Sequence, residues 1–154
     1  MSTLHIPFRH DHVGSFLRPA RLKDARIRYE AGSISAEQLK QIEDEEIAAL
    51  IEKQKQAGCL VITDGEFRRS YWHLDFMWGF QGIQKIELDH GYFFHGEETT
   101  PGSIEVIGKI SGEDHPFVEH FRFVKQFEEE GIVAKQTIPA PAQLLAELYR
   151  EDNG

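Results

Sequence analysis

The sequence predicts an α/β protein built on a parallel sheet wrapped by helices, and two observations predict it. Segments of strand character and segments of helical periodicity follow one another in repeated strand-then-helix order, the arrangement that buries a sheet beneath its own crossover helices. In the run Cys59-Leu60-Val61-Ile62-Thr63 the apolar residues are consecutive, as in a strand covered on both faces; a solvated sheet face would alternate them with polar residues.

The first strand is expected at about His10 to Gly14. A helix over Pro19 to Glu30 follows, with a thin apolar stripe of Leu22, Ala25 and Tyr29, and closes near Ala31-Gly32. Three signals set the start of the second helix: Ser35 can cap it, Gln38 can complete a capping box, and Ile34 can staple onto Leu39. Leu39, Ile42, Ile47, Leu50 and Ile51 then share one side, Gly58 offers a left-handed end, and the acidic run Glu43 to Glu46 reads as a solvated face. After the second strand at 59–63 the period changes. From Ile83 to Ile110, Ile86 and Leu88 and then Ile104, Val106 and Ile110 alternate with polar neighbours around a turn at Asp89-His90-Gly91, which predicts an antiparallel, solvent-facing excursion. Pro116 can open a helix whose buried stripe is Phe117, Phe121, Val124 and Phe127, with Gly131 closing it. Ile132 to Ile138 is the third parallel strand, and Pro141 starts a last helix carrying Leu144, Leu145 and Leu148. Three strands fall short of an eight-stranded barrel, which takes ~250 residues. The chain is therefore either a small open sheet or part of something larger.

Composition narrows the function classes. With 40% hydrophobic and 28% charged residues the chain is globular in character. No run approaches the ~20 apolar residues of a membrane span, and the N-terminus lacks the apolar core of a secretory signal, so a cytoplasmic location is expected. The single cysteine, Cys59, excludes a disulfide framework and any zinc site needing two cysteines of this chain; at the start of its strand it reads as a small core residue. A formal net charge of −9 without a basic stripe argues against nucleic acid and anionic membranes as partners.

In parallel α/β folds ligands sit where the carboxyl ends of strands open into loops. After the first strand come His12, Gly14 and Ser15, where a glycine permits close approach of a ligand and Ser15 adds a hydroxyl. After the second come Asp64-Gly65-Glu66, two carboxylates around a sharp turn that can hold an ammonium or a metal, or do acid-base work. The alternative is structural, with Asp64 capping the turn and Glu66 pairing with Arg68 or Arg69. The aromatic run Phe67 to Trp78 reads either as a pocket wall or as a helix whose Trp72 and Phe76 pack under the excursion. His10, Asp11 and His12 lack an evident third metal ligand, which favours hydrogen-bonding roles for the histidines.

HVGSFLRP near the start, VITDGEFRR after the long helix, and the stretch from PGSIEVIGKIS to KQTIPAPAQLL together resemble the cobalamin-independent methionine synthase family, and in particular the short stand-alone bacterial paralogues of its catalytic domain. The resemblance implies that residues 1–154 are one domain, the N-terminal portion of a (β/α)8 TIM-type barrel with the antiparallel excursion after its second strand. It implies methyl transfer to a thiol such as homocysteine, with a folate as methyl donor, a zinc ion holding the thiolate, and no cobalamin. By the same resemblance Gly14 and Ser15 match the loop holding an amino acid's carboxylate, and Glu66 matches the acid holding its ammonium group; His12 and Asp64 would border the pocket. The family's zinc ligands lie later in the barrel and have no counterpart here, so the chain alone is expected to be inactive, a truncation or fragment with substrate contacts and no metal site. The other reading is a non-catalytic domain binding a small molecule or a partner. In either case the edges of an incomplete barrel are expected to favour a homo-oligomer.

Overall fold

A computed structural model of the chain describes residues 12–89, 91, 93–94, 97–98 and 101–148. It is mixed α/β, and its described residues fall into two compact units, one holding the chain up to Arg69 with Glu119–Thr137, the other holding Ser70–Val118 with the chain from Ile138. No helix among the described residues is long and apolar enough to cross a membrane.

The first unit is built from α1 (Ala20–Glu30), α2 (Ala36–Gln56), β1 (Val61–Ile62) and β6 (Val133–Ala134), with the end of α4 (Pro116–Lys125). α2 starts as its sequence dictates. Ser35 Oγ accepts from Gln38 N at 3.3 Å and Gln38 Oε1 accepts from Ser35 N at 2.8 Å, a complete capping box. Leu22, Ile47, Ile51, Ile62, Phe67 and Val124 form its core, with Phe16 and Leu50 packed against it. β1 and β6 pair in parallel, Val61 beside Val133 and Ile62 beside Ala134.

Both strands are shorter than expected. Of the first predicted strand, His10 and Asp11 lie outside the described residues, and 12–14 are not extended into a ladder. A strand needs neighbours on its edges, and the parallel pairing of β1 and β6 spans two residues on each side. Cys59 precedes β1 and is half-buried, not a core residue. Tyr29 is exposed, because α1 buries only Leu22 and Ala25.

The acidic run of α2 is a larger correction. Glu43 is buried, 3.1 Å from Arg68 and 3.8 Å from Arg26, while Asp44 pairs with both Lys40 and Arg68. Burial pushes the Glu43 carboxyl above its ordinary range despite both arginines. For Asp44, burial is outweighed by hydrogen bonds from Lys40 and Arg68, which hold it below. A folded-state pKa raised in this way favours folding at low pH and works against it as pH climbs past the unfolded value of 4.5. Glu43→Gln removes that dependence and leaves Arg68 its Asp44 partner. The stability of the variant relative to wild type is therefore expected to improve between about pH 4 and pH 8 in urea titrations. A difference that worsens with pH would show that pairing with the arginines outweighs desolvation.

The second unit contains α3 (Leu74–Trp78), β2 (Gln81–Glu87), β3 (Phe93–Phe94), β4 (Glu97–Glu98), β5 (Gly102–Ser111), the start of α4, and α5 (Pro141–Leu148). β2 and β5 pair antiparallel, with a register break between Gln81 and Ile83, and β3 pairs antiparallel with β4. Leu74, Met77, Ile83 and Ile104 are its core. Trp78 Nε1 donates to Ser103 O at 3.0 Å, so α3 covers the Gly102–Ile104 end of β5; Val106, Ile107 and Ile110, beyond that cover, are exposed. Trp72 is also exposed, its ring stacked on His73. On α5, Leu145 faces solvent and Glu147 is buried, because Glu147 Oε1 lies 2.9 Å from His73 Nε2.

Candidate functional site at the strand ends

Thr63 to Arg69, at the carboxyl end of β1, is buried throughout except for the half-buried Arg68. Gln54 of α2 holds the strand from the side: its Nε2 donates to Thr63 O at 2.9 Å and its Oε1 accepts from Thr63 N at 3.0 Å. His12 Nε2 donates to the same Oε1 at 3.2 Å, and Lys135 Nζ donates to His12 O at 2.6 Å. His12 thus has the hydrogen-bonding role its sequence context favours, and it ties the first segment to both strands.

The turn is fixed by its own atoms. Thr63 Oγ1 accepts from Gly65 N at 3.1 Å, and Asp64 Oδ1 accepts from Glu66 N at 2.9 Å, an Asx turn. Gly65 and Glu66 are both left-handed, at φ 62° and 58°. Such a backbone is unusual for glutamate and worth a functional reading. Phe16 N donates to Gly65 O at 3.1 Å, which brings the segment bearing the exposed Gly14 and Ser15 to this turn.

Glu66 points into a closed set of partners. Arg69 Nη1 lies 3.4 Å from Glu66 Oε1, and Arg69 Nη2 donates to Thr137 O at 2.6 Å and Thr137 Oγ1 at 3.2 Å. Thr137 Oγ1 in turn donates to Glu66 Oε1 at 3.0 Å. Arg69 is 2% exposed, so its charge is balanced inside the protein by Glu66. Arg18 and Arg26 donate to the carbonyls of Glu66, Phe67 and Arg69, locking the backbone from outside. Of the two pairings open for Glu66, the one with Arg69 exists; Arg68 instead meets Glu43 and Asp44.

Sequence reasoning missed Thr137 and Gln54. Thr137 follows β6, so the strand-end rule that singled out Asp64 and Glu66 applies to it equally. Gln54 stands one helical step after Ile47 and Ile51, a polar residue on an apolar stripe, and that break in pattern was the available signal. Among the described residues no group of three or more His, Cys, Asp or Glu side chains could hold a metal ion. These residues therefore do not fit the zinc site implied by the family resemblance.

A parallel strand that ends on buried carboxylates, with a glycine turn and a serine-bearing segment beside it, has the layout in which α/β folds hold ligands at strand ends. The chain belongs to the cobalamin-independent synthase catalytic domain family, which matches residues 8–100. It is 44% identical over 138 residues to the uncharacterized protein YxjH of Bacillus subtilis (strain 168), covering 90% of this chain and 36% of that protein. It is 28% identical over 144 residues to the methionine synthase of Saccharolobus solfataricus, covering 90% of this chain and 40% of that one. A solved structure from Listeria monocytogenes, described provisionally as a vitamin-B12 independent methionine synthase, shares 43% identity and a TM-score of 0.75 over 92% of this chain and 39% of its own. The chain thus spans well under half the length of these relatives.

Proposed function

We propose that residues 1–154 are a partial (β/α) barrel domain of a methyltransferase, and that its strand ends bind the amino acid whose sulfur exchanges the methyl group. Glu66 meets the ammonium group, and Ser15 with the Gly14 backbone meets the carboxylate. Zinc-assisted transfer from a folate donor belongs to a protein of the relatives' full length, with a cytoplasmic location and homo-oligomeric assembly as accompanying proposals. The observation that carries the reading is Glu66 itself. A glutamate kept in a left-handed backbone, and held by Arg69 and Thr137 at a strand end, is oriented before any ligand arrives. Pre-orientation lowers the entropic cost of binding a charged group.

Titration calorimetry with L-methionine tests it. Glu66→Gln keeps the side chain's shape and is expected to weaken binding by ~1.5 to 3 kcal/mol, about tenfold or more. Equal affinities in wild type and variant would take Glu66 out of the binding site and leave it a purely structural partner of Arg69.

A further inference from the structure

We infer that Lys135 is a positioning residue for the ligand's carboxylate and acts through the His12 carbonyl, fixing the Val13–Ser15 segment and bringing it a positive charge. This rests on the amino-acid reading above and adds to it a residue outside the Gly14–Ser15 loop. Residues 12–14 join no strand ladder, so other contacts hold the segment in place of a sheet. Its two ends are tied down and its middle is open. Phe16 N donates to Gly65 O at 3.1 Å, His12 Nε2 to Gln54 Oε1 at 3.2 Å and Lys135 Nζ to His12 O at 2.6 Å, while Val13, Gly14 and Ser15 between these anchors are exposed.

The Lys135 contact differs from a ladder bond in carrying charge. A neutral amide N–H would fix the His12 carbonyl as well, but an ammonium in its place makes a charge-assisted bond. His12 O and Val13 N–H belong to one peptide group, so a cation on the oxygen polarises the N–H on the other side toward an incoming anion. Gly14 is two residues from His12, at most ~7.6 Å between Cα atoms, within the ~8 Å over which a charge stays effective in physiological salt. The strand end needs such a charge. Asp64 and Glu66 are both buried there and oppose an entering carboxylate. The guanidiniums beside them are engaged, Arg69 with Glu66 and Thr137, Arg18 with the carbonyls of Glu66 and Arg69. Lys135 starts from a fixed point, because its own N donates to Ile62 O at 2.9 Å on the strand that bears the site.

The test compares L-methionine with 3-(methylthio)propylamine, the same molecule without its carboxylate, by titration calorimetry on the full chain. Wild type is expected to prefer methionine. Lys135→Met should weaken methionine binding about tenfold and leave the amine within about twofold, whereas Lys135→Arg, which keeps the charge, should recover most of the loss. Glu66→Gln should weaken both ligands, because both carry the ammonium group. A Lys135 that merely ties β6 to the first segment would give Lys135→Met faster exchange of the Phe16 amide with equal losses for the two ligands, or no loss at all. Either pattern overturns the inference and leaves the amino-acid reading intact, and so does a Lys135→Arg variant as weak for methionine as Lys135→Met. Where Lys135→Met does not fold, Lys135→Gln carries the same comparison. A wild type that binds both compounds alike removes the carboxylate subsite and the inference with it, and one that binds neither overturns the amino-acid reading as well.

Discussion

Replacing Arg69 by methionine is expected to lower the stability of the chain by about 3 to 5 kcal/mol, the range for removing one partner of a buried ion pair. Arg69 is 2% exposed, and its guanidinium meets Glu66 Oε1 together with the carbonyl and hydroxyl of Thr137. Without it, Glu66 becomes a buried charge whose described hydrogen-bond donor is the Thr137 hydroxyl, and Thr137 O loses its donor. Arg69→Lys should recover little, because an ammonium cannot span both partners as a planar fork does. The double variant Arg69→Met with Glu66→Gln should regain part of the loss, since the stranded charge is gone. Urea unfolding followed by circular dichroism measures all three. A loss below about 1 kcal/mol for Arg69→Met would place the pair in the class of surface ion pairs and remove it as the organiser of the strand end.

Gly82→Ala is expected to cost about 3 kcal/mol or more in the second unit, from two sources. Gly82 has a φ of 79°, where an alanine is strained, and an added Cβ would lie 2.4 Å from Lys109 O and 2.8 Å from its carbonyl carbon. Backbone cannot swing aside as a flexible side chain can. The residue sits at the register break between Gln81 and Ile83, so the clash falls where β2 and β5 change pairing. Amide hydrogen exchange should show faster exchange across Gln81–Glu87 and Gly102–Ser111 in the variant. Unchanged protection there would mean the bulge relaxes around a methyl group, contrary to the geometry.

What the sequence made legible was local. The capping box of α2 needs two residues, Ser35 and Gln38, and was readable from them, and the carboxylates at 64 and 66 were readable because a strand end is a positional rule. What was hidden depended on distant partners. Glu43 looks like a solvated acid until Arg26 and Arg68 reach it from other segments, and on α5 Leu145 is exposed while Glu147 is buried against His73. The link from Arg69 to Thr137 joins residues 68 positions apart, and no period or motif in the chain announces it. Strand length failed for the same reason, since the ladder between β1 and β6 is a property of the pair and not of either segment.

Gly65 ties the evolutionary freedom of the strand end to the interior of α2. A Cβ at this residue would fall 2.3 Å from Leu50 Cδ2 and 3.3 Å from Phe16 Cδ2, and both of those side chains pack on the hydrophobic core. A lineage that enlarged residue 65 would have to displace the Leu50 side chain and accept a strained left-handed backbone, passing through weaker intermediates. Such paths are rarely open to proteins of ordinary stability. Change at the strand end is accordingly channelled away from residue 65 and toward exposed neighbours such as Ser15.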